Sequence, residues 1–106
     1  MTENQDRWGA LAGELEASDP AISRSTMMGL PCLRVDGAFF ASLDTRSGDL
    51  IVKLDAKDVA ARVEAGSGRS FAPAGKTFRE WVVIDSVDEA AWRAALGEAL
   101  AFVRAS

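Results

Sequence analysis

The residues able to make or break covalent bonds are few in this chain of 106 residues. It has no His, no Tyr and a single Cys, Cys32. That removes Ser-His-Asp and Cys-His catalysis, His-ligated metals, multi-cysteine zinc sites and any internal disulfide. Arg34 stands two residues beyond Cys32, on the same side of a strand, where a cation can lower a thiol pKa. With no His or second Cys to act as base or resolving partner, a buried, inert thiol is the better reading. The carboxylates Asp36, Asp44, Asp49 and Asp55 stand where turns and a helix cap already account for them. A hydrolytic pair needs two acids roughly 5–9 Å apart in one cleft, and no spacing singles one out. Asp44-Thr45-Arg46-Ser47-Gly48-Asp49 lacks the order and the bidentate Glu of a calcium loop. Gly66-Ser67-Gly68-Arg69 follows a helix and fits neither GxGxxG nor GxxxxGK[ST], so it reads as a helix terminator and loop. The expectation is a protein that is not an enzyme, with no cofactor and no metal.

One cluster has the composition of a binding surface. Arg69, Lys76, Arg79 and Trp81 are interleaved with Phe71 and Phe78, and Lys53 adds a cation from a neighbouring strand. Cations beside aromatic rings can hold phosphates or stack bases, although residues such as Phe71 and Trp81 are more often simply core. The net charge is −4 and unevenly spread. Residues 1–23 set Arg7 against Glu3, Asp6, Glu14, Glu16 and Asp19. Residues 24–79 hold nine Lys or Arg against six Asp or Glu, and residues 80–106 hold two against five. Acidic ends thus flank a mildly basic middle. A domain that tracks phosphates is usually basic as a whole, so ordinary solvated surface is the simpler account.

The elements that must position these residues follow from periodicity. Thr2-Glu3-Asn4-Gln5 has capping-box spacing, and Trp8, Leu11 and Leu15 form one apolar stripe with Ala12 beside it. A helix is predicted over about residues 3–18, ended by Asp19-Pro20. From Ile22 to Asp55 the chain reads as strands. Leu30-Pro31 is expected to interrupt them, since Pro cannot donate to a central ladder. Asp36-Gly37 between two β-compatible runs predicts a tight hairpin. Leu50, Val52 and Leu54 share one strand face; Ile51 and Lys53 share the other. Asp55 should cap a second helix with Val59, Ala60 and Val63 inward and Lys57, Arg62 and Glu64 in water, and Gly66 should end it. Residues 66–69 and 72–76 read as loop, with Phe71 anchoring the crossing. Glu80–Ile84 is a further strand, and Ser86-Val87-Asp88-Glu89 is a capping box for a helix carrying Trp92, Leu96, Ala99, Leu100 and Val103.

A content of 48% hydrophobic and 26% charged residues is ordinary globular usage and argues for one folded domain over 1–106. The class is α+β, a curved antiparallel sheet of four to five strands with flanking N- and C-terminal helices. Both faces of that sheet carry apolar side chains, with Phe39 opposite Phe40, Ile51 opposite Val52 and Trp81 opposite Val82. Such an excess predicts self-association. No apolar run approaches the roughly 20 residues of a membrane span, and the acidic, polar start is the reverse of a secretory leader. With a lone thiol, the expected location is the cytoplasm, away from membranes.

The run Met27-Met28-Gly29-Leu30-Pro31-Cys32-Leu33-Arg34-Val35-Asp36-Gly37-Ala38-Phe39-Phe40-Ala41 carries a likeness. With it go Leu50-Ile51-Val52-Lys53-Leu54, Gly66, Phe71, Gly75-Lys76 and Glu80-Trp81-Val82. Together they resemble the N-terminal domain of the TfoX/Sxy family and, more distantly, the MmcQ/YjbR group, from about Ser25 to Val103. The resemblance implies an α+β domain in a non-enzymatic, regulatory role. Full-length TfoX proteins are positive regulators of competence genes, and DNA binding has been suggested for the YjbR group. No catalytic or ligand residues are established for that domain, so none carries over. The C-terminal helical domain of those regulators is not in this sequence, which makes a stand-alone N-terminal-type domain the expectation. The functional reading is a regulatory or protein-interaction module, with a protein partner or a second copy as ligand. The alternative is a nucleic-acid-binding regulator using Lys53, Arg69, Lys76, Arg79 and Trp81.

Overall fold

The computed structural model describes residues 3–106, so the Thr2 hydroxyl expected to cap the first helix lies outside the described residues. The first helix, α1, spans Glu3–Ser18 and buries Trp8, Leu11 and Ala12, the stripe that the spacing predicts. Four strands follow: β1 (Ile22–Met27), β2 (Leu30–Val35), β3 (Ala38–Leu43) and β4 (Leu50–Lys53). Helix α2 (Ala56–Ala65), strands β5 (Arg69–Phe71) and β6 (Phe78–Ile84), and helix α3 (Glu89–Ala105) complete the chain. The strands form one antiparallel, open sheet in the order β1-β2-β3-β4-β6-β5. No helix among the described residues is long and apolar enough to cross a membrane.

The sheet has six strands, not four to five. One addition comes from Leu30-Pro31, which opens β2 and does not interrupt the sheet. Met28-Gly29 makes a two-residue turn with φ of 53° and 81°, matching Asp36-Gly37 at 51° and 83°. The pair flanking such a turn, Met27 and Leu30, is hydrogen-bonded, so Thr26 and Pro31 form a non-bonded pair. Pro31 therefore loses no ladder bond to β1. Its carbonyl accepts instead from the Ser42 hydroxyl of β3 at 2.9 Å. The other addition is β5, which replaces the expected loop and pairs with β6 at the sheet edge.

The helices differ from expectation in two places. Asp88, not Ser86, caps α3, its carboxylate accepting from the Ala90 amide at 3.3 Å, while Ser86 accepts from the Asp88 amide. In α2 only Val59 is buried; Ala60 and Val63 are exposed, and Arg62 is half-buried in an ion pair with Glu98 of α3. This short helix lies over the β5–β6 edge, so a single turn reaches the core. The Asp55 and Gly66 caps form as predicted, Gly66 at φ 78°.

All three helices bury their stripes in one cluster against Ile22, Leu33, Val35, Phe40, Ala41, Leu43, Leu50, Val52, Val82 and Ile84 of the sheet. Trp92 is fully buried there, and its indole N–H donates to the Ser86 carbonyl at 2.6 Å. Arg93 with Glu14 and Arg104 with the Asp19 carboxylate tie α3 to α1 and its following turn. Because helices cover one face only, the side chains that alternate away from this cluster form a second, helix-free face.

Candidate binding face

The helix-free face is built by strand register. Cys32 stands opposite Ser42, Ser42 opposite Ile51, and Ile51 opposite Val83, with Ser25 and Arg69 at the two ends of the row. Cys32, Ser42, Ile51 and Val83 are buried, yet none belongs to the cluster beneath the helices. They form a floor. The apolar excess expected of this face is largely covered by neighbouring side chains, since Ile51 is 2% and Val83 8% exposed. Burial pushes the Cys32 thiol above its ordinary value, against smaller downward pulls from Ser25 hydrogen bonding and the Arg34 charge. A thiol held protonated in this way is a poor nucleophile.

Beside the floor runs a row of different chemistry. The tight Asp36-Gly37 turn sets Arg34 opposite Phe39, and the Arg34 guanidinium carbon lies 4.3 Å from the centre of that ring. A bulge between Leu33 and Arg34 leaves Phe40 as the extra residue on β3. Phe40 and Ala41 therefore both face the helix-covered core, while Phe39 lies on the opposite side. On the next two strands Lys53 is paired with Trp81, and the Lys53 ammonium lies 6.0 Å from the indole centre. Across β2, β3, β4 and β6 the order is therefore cation, ring, cation, ring. Each ring is half-buried. The quadrupole of each ring holds its cation in place, about 0.5–1 kcal/mol at exposed sites. The Arg34 Nε is shielded from solvent and has no hydrogen-bond partner among the described residues.

Of the residues singled out in the sequence, Lys53 and Trp81 are brought into contact. Arg79 is exposed two residues before Trp81, in the part of β6 where the pairing with β5 slips out of register. Arg69 lies across from Val83 but is bracketed by Asp49 at 2.7 Å and Asp85 at 3.1 Å, which neutralise it. Lys76 follows the short turn Pro73–Gly75 in an exposed loop and makes no ion pair or ring contact among the described residues. Phe71 and Phe78 stack on each other at 5.7 Å. Arg34 and Phe39 are the residues that the sequence reasoning missed. The signal was present, because a two-residue hairpin at Asp36-Gly37 already implies that Arg34 faces Phe39.

Charge is segregated by element. The strands carry Arg24, Arg34, Lys53, Arg69 and Arg79 against one acid, Glu80, whereas α1 alone carries Glu3, Asp6, Glu14 and Glu16 against Arg7. Among the described residues no group of three Cys, Asp or Glu converges as a metal set. Compared with family models, curated proteins and solved structures, the chain matches none.

Proposed function

We propose that this protein is a non-catalytic regulatory module of the TfoX N-terminal type, working through the helix-free face of its sheet. The observation that carries the reading is the row Arg34, Phe39, Lys53, Trp81. Aromatic rings and guanidinium groups are the residues most enriched where proteins bind one another, because they offer large contact area at low entropic cost. In this reading the face acts by contact. The partner in this reading is another protein, met in the cytoplasm, where an unpaired thiol such as Cys32 persists.

A photo-crosslinking phenylalanine analogue at Phe39, expressed in the native host, tests it. The reading expects a protein adduct at Phe39 and none at Val87, which is exposed in the β6–α3 connection. Adducts at Val87 with none at Phe39 would contradict it.

A second reading is favoured by the same two rings. Bases stack on aromatic faces flanked by cations, and the phosphates then meet Arg34, Lys53 and Arg79. Labelled single-stranded and duplex DNA, titrated at low salt, should bind with an affinity that falls steeply as salt rises. No anisotropy change at tens of micromolar protein ends that reading.

A further inference from the structure

An open sheet has two edges, and here they are unequal. The β5 edge is three residues long and bulged between Ser70 and Phe71, and Arg69 braces it against Asp49 and Asp85. The β1 edge is six residues long and pairs regularly with β2 along all six. Since Met27, Ser25 and Ser23 bond to β2, the backbone N–H and C=O groups of Arg24 and Thr26 point outward. Ile22 has the same outward phase, and its amide is taken by the Asp19 carbonyl at 3.1 Å. Among the described residues β1 pairs with no strand other than β2.

Proteins usually blunt such an edge with a charge, a proline or a bulge. Arg24 does not serve that purpose, because its guanidinium is turned onto α1, bonded to Glu16 at 2.7 Å and to the Gly9 carbonyl at 3.1 Å. A groove of about 580 Å³ between the start of α1 and the β1–β2 hairpin reaches this edge. Asp6, Gly9 and Ala10 line it on the helix side, Arg24, Ser25 and Thr26 on the strand side. Asp6 makes no ion pair among the described residues, and Glu16 is shared with Arg24. With Arg24 paired to Glu16, which lies outside the groove, Asp6 is the one charge left uncompensated among the described residues that line it.

We infer that the free edge of β1 takes an extended, basic segment of a partner protein as a seventh strand. Main-chain bonds to Arg24 and Thr26 supply the affinity, and alternate side chains reach the groove, where a Lys or Arg meets Asp6. A second copy of this chain fits worse. Symmetric β1–β1 pairing would set two α1 helices side by side, each with four acids against Arg7. This surface is separate from the Arg34–Trp81 row, so either can fail without the other.

The experiment uses the full chain and two ten-residue probe peptides, one alternating lysine and threonine, the other glutamate and threonine. Amide hydrogen exchange at Arg24 and Thr26 is read by NMR with each peptide at millimolar concentration. The lysine peptide should slow exchange at both amides at least tenfold, and the glutamate peptide should leave them unchanged. Thr26→Pro removes an outward donor opposite Pro31, and Asp6→Lys reverses the rim charge. Each should abolish the protection, and Asp6→Lys, a surface change, does so without disturbing the fold. Equal protection by both peptides, or none by either, would overturn the inference. So would protection that rises with protein concentration alone, which would identify a second copy as the occupant.

Discussion

Arg24 of β1 lies against the backbone of α1, its Nη2 donating to the Gly9 carbonyl at 3.1 Å. The contact explains why the helix tolerates glycine one turn further on. A Cβ at Gly13 would stand 3.3 Å from that same Nη2, whereas a Cβ at Gly9 would meet nothing within 4 Å. Gly13 makes room for the guanidinium; Gly9 only carries the helix penalty.

The two glycines should therefore respond differently to the same substitution. Gly9→Ala is expected to stabilise the fold by about 0.5–1 kcal/mol, the helix preference of Ala over Gly. Gly13→Ala should gain less, because Arg24 must give way. In an Arg24→Ala background the difference should vanish. Thermal midpoints of the four variants check this.

The hairpins offer a second comparison. Met28 holds φ 53° at the first turn position and is 97% exposed, so its left-handed backbone has no packing to offset it. Met28→Asn should gain about 0.5–1 kcal/mol, since Asn favours that conformation and Met does not. Gly37→Ala, at φ 83°, should lose about 1 kcal/mol or more. Urea midpoints with unchanged slopes are the measurement.

Cys32 should be silent in the folded state. Its burial predicts no reaction with a thiol reagent at pH 8 and one equivalent after denaturation. The pKa direction also fixes a sign. The folded thiol titrates above the unfolded one, so above about pH 8.5 the unfolded chain sheds its proton first and stability falls as pH rises. Cys32→Ala should flatten that alkaline limb.

At the acid end the sign reverses. Hydrogen bonding to Arg93 lowers the Glu14 pKa, and bonding to Arg104, then to the Ala21 amide, lowers that of Asp19. Their contribution is present above the unfolded values of about 4 and is lost as pH falls through the folded ones. Both pairs are exposed, so the effect is small and weakens with salt. Arg104→Ala should make the acid limb shallower at low salt and leave it unchanged at high salt.

How much of this was legible in the sequence depends on how local each feature is. The extent of α1, the buried stripe of α3, the Asp36-Gly37 turn and the Asp55 and Gly66 caps are set by neighbouring residues and were readable, whereas the cap of α3 was placed two residues early. The Met28-Gly29 turn was not, because Met gives no sign that it adopts a left-handed backbone. Strand β5 was hidden for another reason. It is three residues long and exists by pairing with β6, where Gly68 lets the chain approach; a Cβ there would lie 2.7 Å from Val82 Cγ2. The bulge that lets Phe40 and Ala41 in succession face inward answers to the core beneath α3, which no local window contains. Of the expected cluster, Lys53 and Trp81 share a face by alternation alone. The neutralisation of Arg69 needed Asp49 and Asp85 to arrive from two other segments.

The three tryptophans allow the working face to be read without knowing what binds it. Trp8 is 5% exposed and Trp92 fully buried, whereas Trp81 is half-buried on the helix-free face. Protein labelled with 5-fluorotryptophan should give three ¹⁹F resonances, with that of Trp81 identified by Trp81→Phe. On addition of lysate from the native host at physiological salt, the Trp81 line should shift or broaden while the other two stay fixed. A Trp81 line that stands still while Trp8 or Trp92 moves, or three lines unchanged at the highest lysate concentration, would contradict the assignment of that face.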